Sequence, residues 1–347
     1  MSEAQARKPR LGFLGVGWIG RHRMQKLIES GVAEAAAIAD VSEECLSEAH
    51  ALAPEARVCR DLDGLLALDL DGIVIATPSA QHAEQSIRAL EAGKAVFCQK
   101  PLGRTAAENR RVVAAAREAN RLLGVDFSYR YVEGVQRMRE TVAAGEIGQI
   151  YAARLVFHNA YGPDKDWFYQ RHLAGGGCVM DLGIHLVDLG LWMQDFPLIE
   201  QVSGRCFAQG APLVADSDHV EDYAVARLDL AGGGTIELAC SWNLDAGRDA
   251  VIEASFYGSE GALELKNVDG SFFDFEAFRY RGTSAERLVE PPDDWGGRAL
   301  VAWAQQLAND RRFSPAVTEV VAVAEAIDEI YRHGTAPALA PARAAGA

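Results

Sequence analysis

The chain has 347 residues, 49% of them hydrophobic, six cysteines with no CxxC pair, and a formal charge of −15 at pH 7. That length holds two domains with their own cores, and the acidic balance excludes nonspecific binding to nucleic acid or to an anionic membrane, both of which select basic patches. A polar N-terminus, no apolar run near the ~20 residues of a membrane span, and dispersed thiols together lead us to expect a cytoplasmic protein whose partner is a small molecule or another copy of itself.

In chain order, short apolar runs at 11–14, 35–39, 72–76, 95–98 and 122–126 read as strands, and between them 19–29, 42–52, 81–92 and 106–120 carry apolar residues at helical spacing. This alternation predicts parallel βαβ units, with the ligand crevice at the carboxyl ends of the strands. A further helix is expected at 133–144. From about residue 150 the pattern changes to strand-like runs at 151–158, 200–207, 223–230, 235–241 and 251–257, interrupted by a helix near Asp181 and followed by helices at 297–309 and 316–333. The predicted fold is therefore an α/β N-terminal Rossmann domain over 1–127, then an α+β C-terminal domain over 128–334 with an open, mainly antiparallel sheet. Residues 335–347, rich in Ala and Pro, read as a mobile tail.

The first turn, Gly15-Val-Gly-Trp-Ile-Gly20, follows a strand and opens a helix, as a dinucleotide-binding turn requires. Gly15 permits the tight turn, Gly17 lets the backbone approach a pyrophosphate, Gly20 allows close packing, and Trp18 and Ile19 begin the helix whose positive end faces the phosphates. Asp40, twenty residues beyond Gly20, ends the second strand. There a carboxylate accepts from ribose hydroxyls and repels a 2′-phosphate, which favours NAD over NADP; the plainer reading makes it a helix cap. Thr77 and Pro78 leave the strand at 72–76 with His82 opening the next helix, and Gln99 and Lys100, ahead of Pro101, leave the strand at 95–98. All are expected to border the cofactor, with Lys100 aimed across the crevice mouth.

In the second domain Gly175-Gly-Gly177 precedes Asp181 and His185, four residues apart and so on one helical face, a spacing suited to acid/base work. The alternative is a helix start with an exposed imidazole. Arg130, in the run Tyr129-Arg-Tyr131, is a candidate substrate contact, as are His158, Tyr161, Trp167, Arg171 and His172. Their aromatic faces and polar tips suit a polyhydroxylated ring, although such residues also fill interfaces. Asp188 extends the Asp181/His185 face, but no compact ligand cluster is visible and no metal is expected.

The glycine turn, Ala76-Thr-Pro78, the lysine-proline pair, Gly145-Glu-Ile-Gly148, and the triple glycine with Asp181 and His185 together resemble the Gfo/Idh/MocA oxidoreductases (glucose-fructose oxidoreductase, inositol dehydrogenase and rhizopine catabolism family) from about residue 8 to 333. The resemblance implies hydride transfer between NAD and a secondary hydroxyl or ketone of a sugar, sugar derivative or cyclitol. It implies a catalytic set of Lys100, Asp181 and His185, and a homodimer or homotetramer formed through the C-terminal sheet. Two other readings are an NAD-dependent glycoside-cleaving enzyme with transient oxidation and a non-catalytic nicotinamide-binding regulator. One departure stands out: many members have Glu-Lys-Pro where this chain has Gln99-Lys100-Pro101, which removes a counter-charge beside the lysine.

Overall fold

The computed structural model describes residues 7–215 and 217–336. These residues form two compact units. One comprises the described residues up to Gln136 together with Pro292–Ala324, the other Arg137–Pro291 with the described residues from Glu325. The expected tail lies outside the described residues from 337 onward.

The first unit begins β1 (Arg10–Leu14), α1 (Trp18–Ser30), β2 (Glu34–Ala39), α2 (Glu43–Leu52), β3 (Arg57–Cys59), α3 (Leu62–Leu66) and β4 (Gly72–Ile75). It continues through α4 (Ser79–Glu91), β5 (Ala95–Cys98), α5 (Ala106–Ala119) and β6 (Leu123–Val125). The six strands form an all-parallel sheet in the order β3-β2-β1-β4-β5-β6, so the connections reverse direction between β1 and β4. Such a switch point opens a crevice at the strand ends. The central strands β4 and β5 are buried along their whole length, as a sheet covered on both faces requires.

Helix α6 (Glu133–Ala143) carries the chain onward. The second unit contains β7 (Ile150–Asn159), α7 (Arg171–Ala174), α8 (Ile184–Trp192), β8 (Ile199–Ala208), β9 (Ala211–Pro212), β10 (Tyr223–Leu230), β11 (Thr235–Ser241), β12 (Ala250–Gly258), β13 (Ala262–Asn267), β14 (Phe275–Arg281) and β15 (Ser284–Val289). These nine strands form one sheet, β15-β14-β13-β12-β7-β11-β10-β8-β9, antiparallel except for the β7–β11 pair. Ile236, Leu238 and Cys240 of β11 are buried, Ile236 against Gly190 of α8 and Cys240 against Gly183 just before it. Arg171–Trp192 is apolar enough by composition to span a membrane, but 83% of its apolar 18-residue window is buried inside the structure.

This partition differs from the expected boundary at 127/128: the first unit runs on to Gln136 and takes back Pro292–Ala324. Helix α9 (Arg298–Asn309) belongs to the first unit, because Ala299, Leu300, Trp303, Ala304 and Leu307 join Leu11, Val74 and Phe97 in a single buried core. Trp303 rests on Phe97 with ring centroids 5.6 Å apart. Each such buried side chain contributes about 1.5–3 kcal/mol, so the amphipathic helix is held by long-range burial that local spacing does not reveal. Helix α10 (Glu319–Gly334) follows, and beyond it Ala336 forms a parallel bridge with Val214.

Candidate active site

In the first unit the site residues gather where β1, β2, β4 and β5 end. Gly15 has φ +84°, and a Cβ there would lie 2.6 Å from the carbonyl of Ala76, so glycine is required where the first turn crosses the fourth strand. At Gly20 a Cβ would stand 2.1 Å from the Gly15 carbonyl oxygen. Gly17 differs, because nothing lies within 4 Å of the position its Cβ would take, and as the N-cap of α1 it supplies no side-chain acceptor to the helix. Open space before an uncapped helix start fits a pyrophosphate, so these residues suit a dinucleotide.

Asp40 is more engaged than expected. Its Oδ2 accepts from Val16 N–H at 2.7 Å and its Oδ1 from Ser42 N–H at 2.9 Å, which ties the glycine turn to the start of α2. Each oxygen keeps a second lone pair for a ribose hydroxyl. The cap reading of Asp40 gives way to Ser42, whose hydroxyl accepts from Cys45 N–H. Trp18 is 66% exposed beside Ile19 and stacks on His22.

His82, expected to border the cofactor, is instead buried, with Nε2 2.6 Å from the Thr77 carbonyl and Nδ1 2.7 Å from that of Pro101. It straps together the turns after β4 and β5. Burial lowers its pKa below the ordinary imidazole value, outweighing the two carbonyls, which favour the charged form. The Thr77 hydroxyl donates to Gln85 at 2.6 Å, beside Pro78, which precedes α4. Gln99 is also buried and its amide nitrogen donates to Asp126, while Lys100 is half-buried at the end of β5.

In the second unit the triple glycine has steric reasons at each position. Gly175 ends α7 at φ +90°, a Cβ at Gly176 would strike the Tyr331 hydroxyl at 1.8 Å, and one at Gly177 would lie 2.0 Å from the Glu221 carbonyl oxygen. Glu221 is 1% exposed. Its Oε1 accepts from Gly177 N–H and Val179 N–H, both at 2.9 Å, and from the Tyr331 hydroxyl at 2.7 Å, while its carbonyl takes Cys178 N–H. Burial raises its pKa above the ordinary carboxylate value despite these donors, and burial followed by the facing carboxylate raises Tyr331.

Asp181 therefore does not stand on a regular α-helix. Val179–Gly183 forms a π-helical turn that runs into α8, an irregularity frequent at functional sites. Asp181 is half-buried and its Oδ2 accepts from the Trp242 indole at 3.2 Å. His185, in the first turn of α8, is only 6% exposed, which removes the reading of an exposed imidazole at a helix start. Asp188 lies deeper in the same helix, 1% exposed.

The substrate candidates divide. Trp167 stacks on Phe168 at 3.9 Å, and Phe168 and Tyr169 both meet Trp242, so this aromatic group adjoins the residue that holds Asp181. Tyr161 is 51% exposed against Phe272, Arg171 is half-buried, and His172 is exposed. His158 lies elsewhere. It pairs in register with Ser241, bonds its hydroxyl at 2.7 Å and stacks on Tyr223, whereas α8 packs over the alternate residue Cys240. Strand alternation thus puts His158 on the sheet face opposite Asp181 and His185. Arg130, in the first unit, is paired with Glu319 at 3.0 Å and lines a cavity of about 240 Å³ with Phe97 and Trp303. Asp126 in the first unit and Glu221, Tyr331 and Trp242 in the second were not among the expected residues, since each meets its partner across a long stretch of sequence.

A parallel sheet with a glycine turn at its switch point is the architecture of a dinucleotide-binding domain, and residues 10–127 match the family model described as oxidoreductase family, NAD-binding Rossmann fold. Residues 135–264 match the GFO/IDH/MocA C-terminal domain, and the chain belongs to the Gfo/Idh/MocA oxidoreductase family. It is 30% identical to a D-glucoside 3-dehydrogenase of Escherichia coli (strain K12), over 65% of this chain and 68% of that one. It is 32% identical to an inositol 2-dehydrogenase of Acidiphilium cryptum (strain JF-5), over 74% and 73% of the two chains. Among solved structures, GenD2 from gentamicin A biosynthesis, in complex with NAD, superposes with TM-score 0.79 at 25% identity, covering 96% of each chain.

Proposed function

We propose that the protein is an NAD-dependent dehydrogenase acting on a secondary hydroxyl of a sugar, sugar derivative or cyclitol, with Lys100, Asp181 and His185 as its catalytic residues. The observation that carries the reading is the second unit's own construction. A triple glycine, a buried glutamate and a π-turn converge to hold one carboxylate and one imidazole four residues apart in a sequestered helix start. His185 takes the proton of the substrate hydroxyl, Asp181 binds a neighbouring hydroxyl and helps orient the ring, and Lys100 donates a hydrogen bond to the reacting oxygen. The bound dinucleotide supplies the hydride acceptor. Gly15, Gly17 and Gly20 seat its pyrophosphate, and Asp40 selects NAD by receiving the ribose hydroxyls.

Trp167, Tyr169 and Trp242 offer aromatic surface beside Asp181, which suits the apolar face of a sugar or cyclitol ring. The relatives named as glucoside and inositol dehydrogenases agree with that class. We infer a cytoplasmic homo-oligomer joined through the open sheet face, which carries Val225 and Tyr257 exposed; light scattering checks the mass.

The test is a screen of inositols, aldoses, aminocyclitols and glycosides with NAD and NADP, read as reduced coenzyme. Stoichiometric NADH from a polyol supports the reading. Aglycone release without net reduction replaces it by transient oxidation, and tight NAD binding without turnover of any polyol replaces it by a regulator. A higher kcat/KM with NADP sinks the role given to Asp40.

A further inference from the structure

Gln99 precedes Lys100 at the end of β5, and its surroundings account for an amide at this position. Strands β5 and β6 run parallel, with Asp126 N–H bonded to the Cys98 carbonyl at 2.9 Å, so the side chains of Gln99 and Asp126 leave adjacent strand ends side by side. The Gln99 amide nitrogen donates to Asp126 Oδ2, and the same oxygen accepts from Arg23 Nε of α1 at 2.7 Å. All three are buried: Arg23 is 6% exposed, Gln99 7% and Asp126 1%. A glutamate at position 99 would bring two carboxylates into contact with one guanidinium between them, and like charges at that distance share a proton. Glutamine is thus the residue that Asp126 permits.

We propose that Asp126 is a positioning residue for Lys100: held by Arg23, it fixes Gln99 and with it the end of β5, from which Lys100 departs. Asp126 Oδ1 is buried with no hydrogen-bond partner among the described residues. An apolar residue there would avoid that desolvation but would leave the buried Arg23 guanidinium without its carboxylate. The other charged or titratable groups facing this cluster are His22 from α1 and Cys98 from β5, with His82 of α4 facing Lys100.

The proposal rests on Lys100 being catalytic, and the test separates the two. Gln99→Glu, and the exchange variant Gln99→Glu/Asp126→Asn, are compared with the native protein by thermal midpoint against pH without coenzyme and by the pH profile of kcat/KM. The single variant holds a shared proton when folded, so its midpoint falls relative to native as pH rises above the ordinary carboxylate range, and kcat/KM drops at least tenfold near neutrality. The exchange variant recovers the native midpoint, but its pH profile moves to higher pH by half a unit or more, because its carboxylate adjoins the lysine. Should the single variant not fold, the exchange variant alone decides. A native pH profile in a folded exchange variant overturns the proposal. Native turnover in Lys100→Ala overturns instead the assignment on which it is built.

Discussion

The two units hold their site residues in different ways. In the first, the glycine turn, Asp40 and Lys100 sit at the ends of strands, and Gly17 has open space where its Cβ would be. In the second, Asp181 and His185 are held from a distance: the turn before them is pinned by Glu221 and Tyr331, and Asp181 itself by Trp242. The first unit leaves room for a ligand to complete it, whereas the second is already completed by its own side chains. Substitutions in the two should therefore fail in different ways.

The largest expected effects test the proposed catalytic residues of each unit. Lys100→Ala and His185→Ala should each lower turnover by about 100- to 10,000-fold, the usual worth of a positioned acid or base, with NAD affinity by calorimetry nearly unchanged. Native turnover in either removes that residue from the catalytic set, and the variant whose pH profile loses a limb identifies the proton carrier.

A paired glycine experiment comes next. Gly177→Ala places a methyl about where the Glu221 carbonyl already stands, 2.0 Å away, so it should cost about 1–3 kcal/mol by denaturant unfolding, with activity falling as the turn shifts. Gly17→Ala meets nothing and has an ordinary φ of −60°, so stability should hold while NAD affinity falls. If both lose stability alike, or both lose only binding, the contrast between the units fails.

How much of this was legible in the sequence follows the same division. The glycine turn, Asp40, the lysine-proline pair and the Asp181/His185 spacing are local, and alternation of period 2 or 3.6 placed most strands and helices. The strands of 262–289 were missed, although β13 alternates cleanly with Leu263 and Leu265 inward, because its outward residues are charged and β15 is almost wholly exposed. Glu221 lies 44 positions from Gly177 and Trp242 lies 61 from Asp181, so no window of sequence joins them. His158 misled for a related reason: which face of a sheet it occupies depends on the register of β7 with β11.

A smaller effect should come from Glu221→Gln. Because burial raises the folded pKa of Glu221 above its ordinary 4.5, its contribution is fully present below that value and is lost as pH rises through the folded value. Glutamine keeps an acceptor for Gly177 and Val179 but has no proton to lose. The difference in thermal midpoint, variant minus native, should therefore grow with pH from about 4.5 upward. A difference independent of pH would mean that Glu221 stays ionised throughout and that its three donors outweigh burial.

The smallest effect expected is that of Trp242→Phe. The ring face that meets Phe168 and Tyr169 is kept, and only the indole N–H that reaches Asp181 at 3.2 Å is lost. Asp181 is half-buried, so water can supply a replacement donor. The loss should then be about 1 kcal/mol, at the low end for a hydrogen bond to a charged group, or roughly fivefold in kcat/KM. Its distribution is informative. If Asp181 binds substrate in ground and transition states alike, KM rises and kcat holds, whereas if it matters only as charge develops on His185, kcat falls and KM holds. A variant unchanged in both would mean that Asp181 is positioned by the π-turn alone, and the second unit would then be as locally built as the first.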